Sequence, residues 1–208
     1  MEQTVAPFTQ SMVDTGTSTI ARAFMSDPLY EWAFPDAATR EQKLAVLHRV
    51  LLEYGLRYGQ RITQSDDGRC VAIWVPPGQS TDLVGLARSG MLTAPLKIGP
   101  RPMARLARAD AAIEPIRKQA MGDQPHWYLF IAAIDPDLQG RGRGGALLRE
   151  GLARVDADGL PCFLDTNNEA NLSLYEKFGF TTVAQVQVGE DGPQGWGMRR
   201  DPQPAGAS

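Results

Sequence analysis

Gln139-Gly140-Arg141-Gly142-Arg143-Gly144-Gly145 stands between an apolar run and an amphipathic helix, and the architecture follows from what this segment is. Upstream, residues 126–134 (HWYLFIAAI) are continuously apolar, which predicts a central strand buried on both faces. Asp135-Pro136-Asp137-Leu138 turns the chain, and Leu147, Leu148, Leu152 and Val155 then recur as the core stripe of a helix. Gly142, Gly144 and Gly145 fall in its first turn, where each sacrifices about 1 kcal/mol of helix propensity against alanine. Folding alone gives no reason for that. The first N–H groups of a helix lack internal partners and lie at the positive end of its dipole, so a strand, a turn and a glycine-rich helix start make a cradle for a phosphate. Arg141 and Arg143 add to the field. Close packing of helix on sheet also selects glycine, but three glycines flanked by two arginines favour the anion.

Past this helix, residues 160–164 read as a short strand. Thr166-Asn167-Asn168-Glu169 fits a capping box for a helix over 167–178, with Gly179 at its left-handed end and Phe180 returning to the core. Residues 181–188 and 194–199 form a hairpin. Before it, residues 4–8 read as a strand and 17–25 as a helix that Asp27-Pro28 ends. A second helix over 36–58 places Leu44, Leu47, Leu51, Tyr54 and Tyr58 at helical steps. Residues 61–64 and 69–75 pair around Ser65-Asp66-Asp67-Gly68, and Pro76-Pro77-Gly78 stops the second strand. Residues 82–121 are helical with breaks at Pro95, Pro100, Pro102 and Pro115. The seven basic and two acidic residues between 88 and 118 read as solvated helix faces rather than an anion site.

With 208 residues, 43% hydrophobic and 22% charged, the chain is globular, and one domain over 1–208 is the simplest division. Lys plus Arg number 21 and Asp plus Glu 24, a net charge of −3, so neither nucleic acid nor an anionic membrane is an expected partner. No uncharged run exceeds 12 residues, which excludes a transmembrane helix. The N-terminus lacks the basic and apolar regions of a secretory signal, and Cys70 and Cys162 sit in strand-like runs as buried thiols; both point to the cytoplasm. Two His and two Cys are too few for a credible zinc site, so no metal is expected. Neither a Gly-x-Ser-x-Gly elbow nor a phosphate-binding P-loop occurs. Residues 201–208 read as a frayed tail.

Two cofactor families use such a cradle. Gly140, Gly142 and Gly145 spell G-x-G-x-x-G, with Asp165 20 residues beyond Gly145, as in a dinucleotide-binding oxidoreductase. That reading is the runner-up, because residues 135–139 separate the motif from its strand and only about 40 residues follow Asp165, too few for a doubly wound sheet. Gln139-Gly140-Arg141-Gly142-Arg143-Gly144 instead resembles the acetyl-CoA motif of the GCN5-related N-acetyltransferase (GNAT) superfamily, and Asn171, Tyr175, Gly179 and Phe180 match its downstream Asn-x-x-x-Tyr-x-x-x-Gly-Phe. A narrower likeness, over 127–142, 161–166 and 171–180, is to puromycin N-acetyltransferases.

The resemblance implies an α/β (α+β) fold with a mixed sheet of about six to seven strands flanked by helices. Its central parallel strands, 129–134 and 160–164, would splay apart to admit the pantetheine arm. Backbone groups of Ala132, Ala133 and Ile134 would pair with that arm, and Gln139 to Gly145 would hold the pyrophosphate. Residues 1–125 form the acceptor side and 126–200 the acetyl-CoA side.

Acyl transfer from a thioester to an amine needs a neutral amine, a donor for the oxyanion and an acid for the departing sulfur. Tyr175 is the candidate acid, on the same helix face as Asn171, which is a candidate to hold the pantetheine or phosphate. Backbone N–H groups of 132–134 are candidates for the oxyanion. Glu31 and Asp165 are the candidate bases. Tyr30, Trp32 and Phe34 read either as an aromatic wall for the acceptor or as core. The expected reaction is direct attack, in a ternary complex, by a primary amine of a small molecule such as an aminonucleoside or another amine antibiotic. A protein N-terminal or lysine acetyltransferase and a non-catalytic CoA-binding sensor are the alternatives.

Overall fold

Asp66 (φ 53°), Asp67 (φ 57°) and Gly68 (φ 85°) are all left-handed, and the Gly68 N–H donates to Gln64 Oε1 at 2.9 Å. Asp and Gly tolerate that backbone best, which fixes the first hairpin. In the computed structural model, which describes residues 4–79 and 83–203, the chain runs β1 (Ala6–Pro7), α1 (Val13–Ala23), α2 (Pro28–Ala33), α3 (Ala37–Tyr58), β2 (Arg61–Ser65) and β3 (Cys70–Val75). It continues through α4 (Leu83–Leu86), α5 (Ala94–Ile98), α6 (Pro100–Met121), β4 (Trp127–Ile134) and α7 (Arg143–Ala157). β5 (Cys162–Thr166), α8 (Leu172–Glu176), β6 (Thr181–Gln187) and β7 (Gln194–Arg200) complete it. The seven strands form one mixed sheet in the order β1-β2-β3-β4-β5-β7-β6, parallel only between β4 and β5. Cys70 and Cys162 are buried free thiols. No described helix is long and apolar enough to cross a membrane. Of the expected tail, residues 204–208 lie outside the described residues.

Three elements depart from expectation. α1 starts at Val13 rather than Thr17, because Gly16 lets the helix lie against Phe8; a Cβ there would come within 2.6 Å of the Phe8 ring. α6 carries Pro115 through its interior without a break, with Ile113 and Ile116 buried against Phe163, while Pro100 and Pro102 lie in its opening turns, where a missing N–H costs little. The helix over 167–178 is shorter than its sequence suggests: a 3₁₀ turn, Glu169–Asn171, precedes α8, and Asn168 rather than Thr166 accepts the capping bond, from Ala170 N–H at 3.1 Å.

β4 is not buried throughout. Its register with β3 passes from Ile73↔Ile131 to Trp74↔Leu129, leaving Phe130 as an unpaired bulge residue, 37% exposed. The bulge resets the pleat. Trp127 and Leu129 before it, and Ala132 and Ile134 after it, all pack toward the α7 core of Leu147, Leu148 and Leu152, whereas Ile131 and Ala133 pack with Phe8 and Ile20 on the other face. β4–β5 pairing covers Trp127↔Cys162, Tyr128↔Phe163 and Leu129↔Leu164, then ends at the bulge, although β4 runs on to Ile134 and β5 to Thr166. The two central strands therefore part.

Candidate active site

The parting of β4 and β5 leaves a groove of about 470 Å³, walled by the far half of β4, the glycine-rich loop, the start of α7, α8, and the α1–α2 junction. Along its β4 wall the backbone pairs with no strand on the groove side. Asp135 N–H donates to Arg69 O at 2.9 Å, so the alternation of a strand turns the N–H and C=O groups of Ile134 and Ala132 the other way, toward the gap. Gln139 Nε2 donates to Ile134 O at 3.1 Å, consistent with that direction. Ala133 lines the groove too, but its backbone faces β3. Asp135 anchors the end of the strand: burial would raise its carboxyl, yet the Asp137 N–H and the Arg69 and Arg22 guanidiniums hold it below the usual carboxylate range.

Gly142 is the N-cap of α7 at φ 74°, and Gly140 precedes it at φ 73°, conformations that side chains other than glycine rarely adopt. Gly144 and Gly145 have a different reason to be glycine. A Cβ at Gly144 would approach Ile134 no closer than 3.7 Å, and one at Gly145 would lie 3.5 Å from Phe178 and Arg149, both ordinary contacts. Helix–sheet packing therefore does not demand them. What they leave open is the groove itself, in front of the first-turn N–H groups, and that opening fits a phosphate. Arg143 lines the groove and pairs with Asp66 Oδ1 at 3.3 Å; Arg141 is exposed and does not line it.

Tyr175 comes to the groove from α8, only 9% exposed, with its ring edge-on to Phe180 at 6.0 Å. Its hydroxyl has no hydrogen-bond partner among the described residues. Burial pushes it up to about 12, with the Asp165 and Asp27 charges adding to the rise, so it is a proton donor at neutral pH. Asn171, one turn earlier, also lines the groove, its Nδ2 donating to Thr166 Oγ1 at 3.4 Å.

The two carboxylates singled out in the sequence lie apart from the groove wall. Glu31, 53% exposed, accepts from Arg40 Nη1 at 3.3 Å. Asp165 accepts the Tyr128 hydroxyl at 2.5 Å; burial raises its carboxyl against that bond and the nearby Arg117. Tyr30 and Phe34 pack with Phe24 and His48 in the core beneath α3, and Tyr30 Oη lies 3.1 Å from His48 Nε2. They do not line the groove.

The carboxylate that does is Asp27. It caps α2, Oδ1 accepting the Leu29 N–H at 2.9 Å, and burial raises it to about 6, with the charges of Glu31 and Asp165 pushing the same way. In the sequence, Asp27-Pro28 is legible as a helix boundary, and Asp followed by Pro is also a helix-start signature. Nothing local announces that this cap faces the gap beside β5.

Residues 28–180 match the family model of the Acetyltransferase (GNAT) family. An uncharacterized N-acetyltransferase of Schizosaccharomyces pombe is 24% identical over 185 residues, covering 84% of this chain and 72% of that protein. Mycothiol acetyltransferase of Streptomyces coelicolor is 39% identical over 57 residues, 26% of this chain but only 18% of that protein. Among solved structures, a Corynebacterium glutamicum protein described as histone acetyltransferase HPA2 and related acetyltransferase superposes with a TM-score of 0.67 at 22% identity, covering 99% of both chains. The parted strands and glycine cradle thus sit within a match that spans most of the sequence, and the chain belongs to the GNAT family of acetyltransferases, acyltransferases that use acetyl-CoA as co-substrate.

Proposed function

We propose that this protein acetylates a primary amine of a small molecule by direct attack in a ternary complex. The observation that carries the reading is Tyr175, a largely buried tyrosine whose hydroxyl has no hydrogen-bond partner among the described residues, in the same groove as a strand edge that pairs with no other strand and a glycine cradle. Acetyl-CoA, when bound, supplies the acetyl group activated as a thioester. Gly140, Gly142, Gly144 and Gly145 leave the first-turn N–H groups of α7 open to the diphosphate, with Gln139 and Arg143 bordering it and Arg141 on the exposed side of the loop. Ala132 and Ile134 offer backbone to the extended arm, Ala133 turning its backbone to β3, and Asn171 offers an amide. Tyr175, protonated at neutral pH, donates its proton to the leaving sulfur; the thiol, at about 8.5, is the stronger acid, so the transfer is uphill by itself and is drawn forward as the acidic N–H of the newly acylated nitrogen returns a proton to the phenolate. Asp165 stands behind this arrangement, holding Tyr128.

The reading of a small acceptor rests on the local match to proteins named mycothiol acetyltransferases. Two buried free thiols suit a reducing compartment, the cytoplasm. The test is acetyl-CoA-dependent thiol release against a panel of small primary amines, with the amide identified by mass. Steady turnover with a small amine is expected. Acetylation confined to protein N-termini or lysines would move the acceptor to proteins, CoA binding without turnover would indicate a sensor, and no binding at millimolar acetyl-CoA would sink the reading.

A further inference from the structure

We propose that Asp27 is the general base of this reaction: it receives the acceptor as an ammonium ion where the α1–α2 junction walls the groove, and takes its proton. This rests on the acetyl-transfer reading above.

Asp27 feels the charges of two other carboxylates, Glu31 and Asp165, and the three differ in what already occupies them. Glu31 faces Arg40, whose buried guanidinium also donates to Phe34 O and Met25 O. Asp165 accepts the Tyr128 hydroxyl and feels Arg117. Asp27 lines the groove, and no Lys, Arg or His pairs with it among the described residues. The groups whose charge it shares are Glu31 on its own helix and Asp165 on β5, both acidic, and its own charge bears on Tyr30 and Tyr175. A half-buried carboxylate among acids is an uncompensated negative site, and the species that compensates it is a cation. Its orientation is fixed, because the bond to Leu29 N–H ties the carboxylate to the start of α2.

The need is chemical as well as electrostatic. An amine of ordinary pKa near 10.4 is less than about 0.1% neutral at pH 7, so an enzyme that accepts the abundant ammonium form must remove a proton in place. The N–H bond of the ammonium breaks and its proton passes to the Asp27 carboxylate, freeing the nitrogen lone pair. That pair forms the C–N bond as the C–S bond of the thioester breaks, and Tyr175 gives its hydroxyl proton to the sulfur. The nitrogen sheds a second proton, which restores Tyr175, and Asp27 releases the first to water. Ammonium and thioester become amide, thiol and one proton.

The experiment compares wild type with Asp27→Asn across pH 5–10, using the most active amine of the panel. Asn caps a helix about as well as Asp, so α2 is preserved while the base is lost. For wild type, kcat/KM is expected to rise through a pH near 6, reach a plateau, and fall above the amine's own pKa. The variant should be slower by about 100-fold or more at pH 7 and climb without a plateau to the amine's pKa, because only the neutral amine then reacts. Its dissociation constant for acetyl-CoA, measured by calorimetry, should be unchanged. A variant that keeps the plateau and stays within about threefold of wild type at pH 7 overturns the assignment while leaving acetyl transfer intact. A wild-type profile that rises straight to the amine's pKa also overturns it, with no variant needed. No turnover by wild type with any amine overturns acetyl transfer and the assignment together.

Discussion

If Asp27 is kept charged against its surroundings, the protein is less stable for it, and Asp27→Asn should be more stable than wild type at neutral pH. Burial, assisted by Glu31 and Asp165, raises the carboxyl from an ordinary 3.8 to about 6. The folded protein thus holds that proton roughly a hundredfold more tightly than the unfolded chain, and at about 1.4 kcal/mol per tenfold the charged form costs at most about 3 kcal/mol above pH 6. Partial exposure of the side chain screens some of this, leaving about 1–2 kcal/mol. The sign follows from linkage. Below pH 3.8 both states carry the proton and nothing is lost; between 3.8 and about 6 only the folded state keeps it, so stability falls as pH rises; above 6 the cost is complete. Asparagine keeps the cap and removes the charge. Urea denaturation at pH 4.5, 5.5 and 7 should show a gain that grows with pH, and heating at pH 7 should raise Tm by about 2–8 °C for a chain of this size. Equal or lower stability of the variant at pH 7, or a gap that does not change with pH, would refute the electrostatic account.

Tyr175→Phe should lower kcat by about ten- to a thousandfold and leave acetyl-CoA affinity and Tm nearly unchanged, since the hydroxyl bonds to no described protein group; steady-state kinetics with an unchanged kcat would remove it from the mechanism. Gly144→Ala places a methyl 3.7 Å from Ile134, its nearest neighbour beyond the helix's own backbone, so it should stabilise α7 by up to about 1 kcal/mol while weakening acetyl-CoA by about tenfold or more. Calorimetry showing undiminished affinity would mean that the cradle does not grip there. Gly151→Ala is the opposite case: its Cβ would come within 2.1 Å of fully buried Trp74, and overpacking of this kind costs about 1–3 kcal/mol, read as a loss in thermal denaturation. Wild-type Tm in that variant would mean Trp74 moves freely.

Local chemistry made part of this molecule legible from sequence. Asp-Asp-Gly names its own turn, Gly140 and Gly142 need backbone that few other residues adopt, and the stripe from Leu147 to Val155 shows which face of α7 is buried. The glycine run and Tyr175 were recoverable for that reason, and they do share one groove. What stayed hidden depends on partners distant in sequence. A run of nine residues without polar–apolar alternation carries no mark of where its pleat resets, so the bulge at Phe130 was invisible. Glu31 and Asp165 are as suitable as any acid by sequence, and only the fold brings Arg40 and Tyr128 to occupy them. Asp27 looked like a boundary residue, because a cap and a base are the same side chain until tertiary structure turns one toward a cavity. The start of α1 is not legible because the weak helix formers from Val13 to Thr17 conceal a helix that Phe8 packing supports.

A β-sheet has two rims, and this one ends in modest strands on both: the two residues of β1, one of them Pro7, and β6, whose outward positions include Thr181, Thr182, Gln185 and Gln187. Its weak line is internal. The half from β1 to β4 is joined to the half from β5 to β7 by three registered residue pairs, beyond which the seam lies open. A molecule lodged in that seam therefore acts as mortar between the halves. Amide protons at Ala132 and Ile134 should trade with solvent more slowly when it is filled, and heat tolerance should climb with the logarithm of ligand concentration.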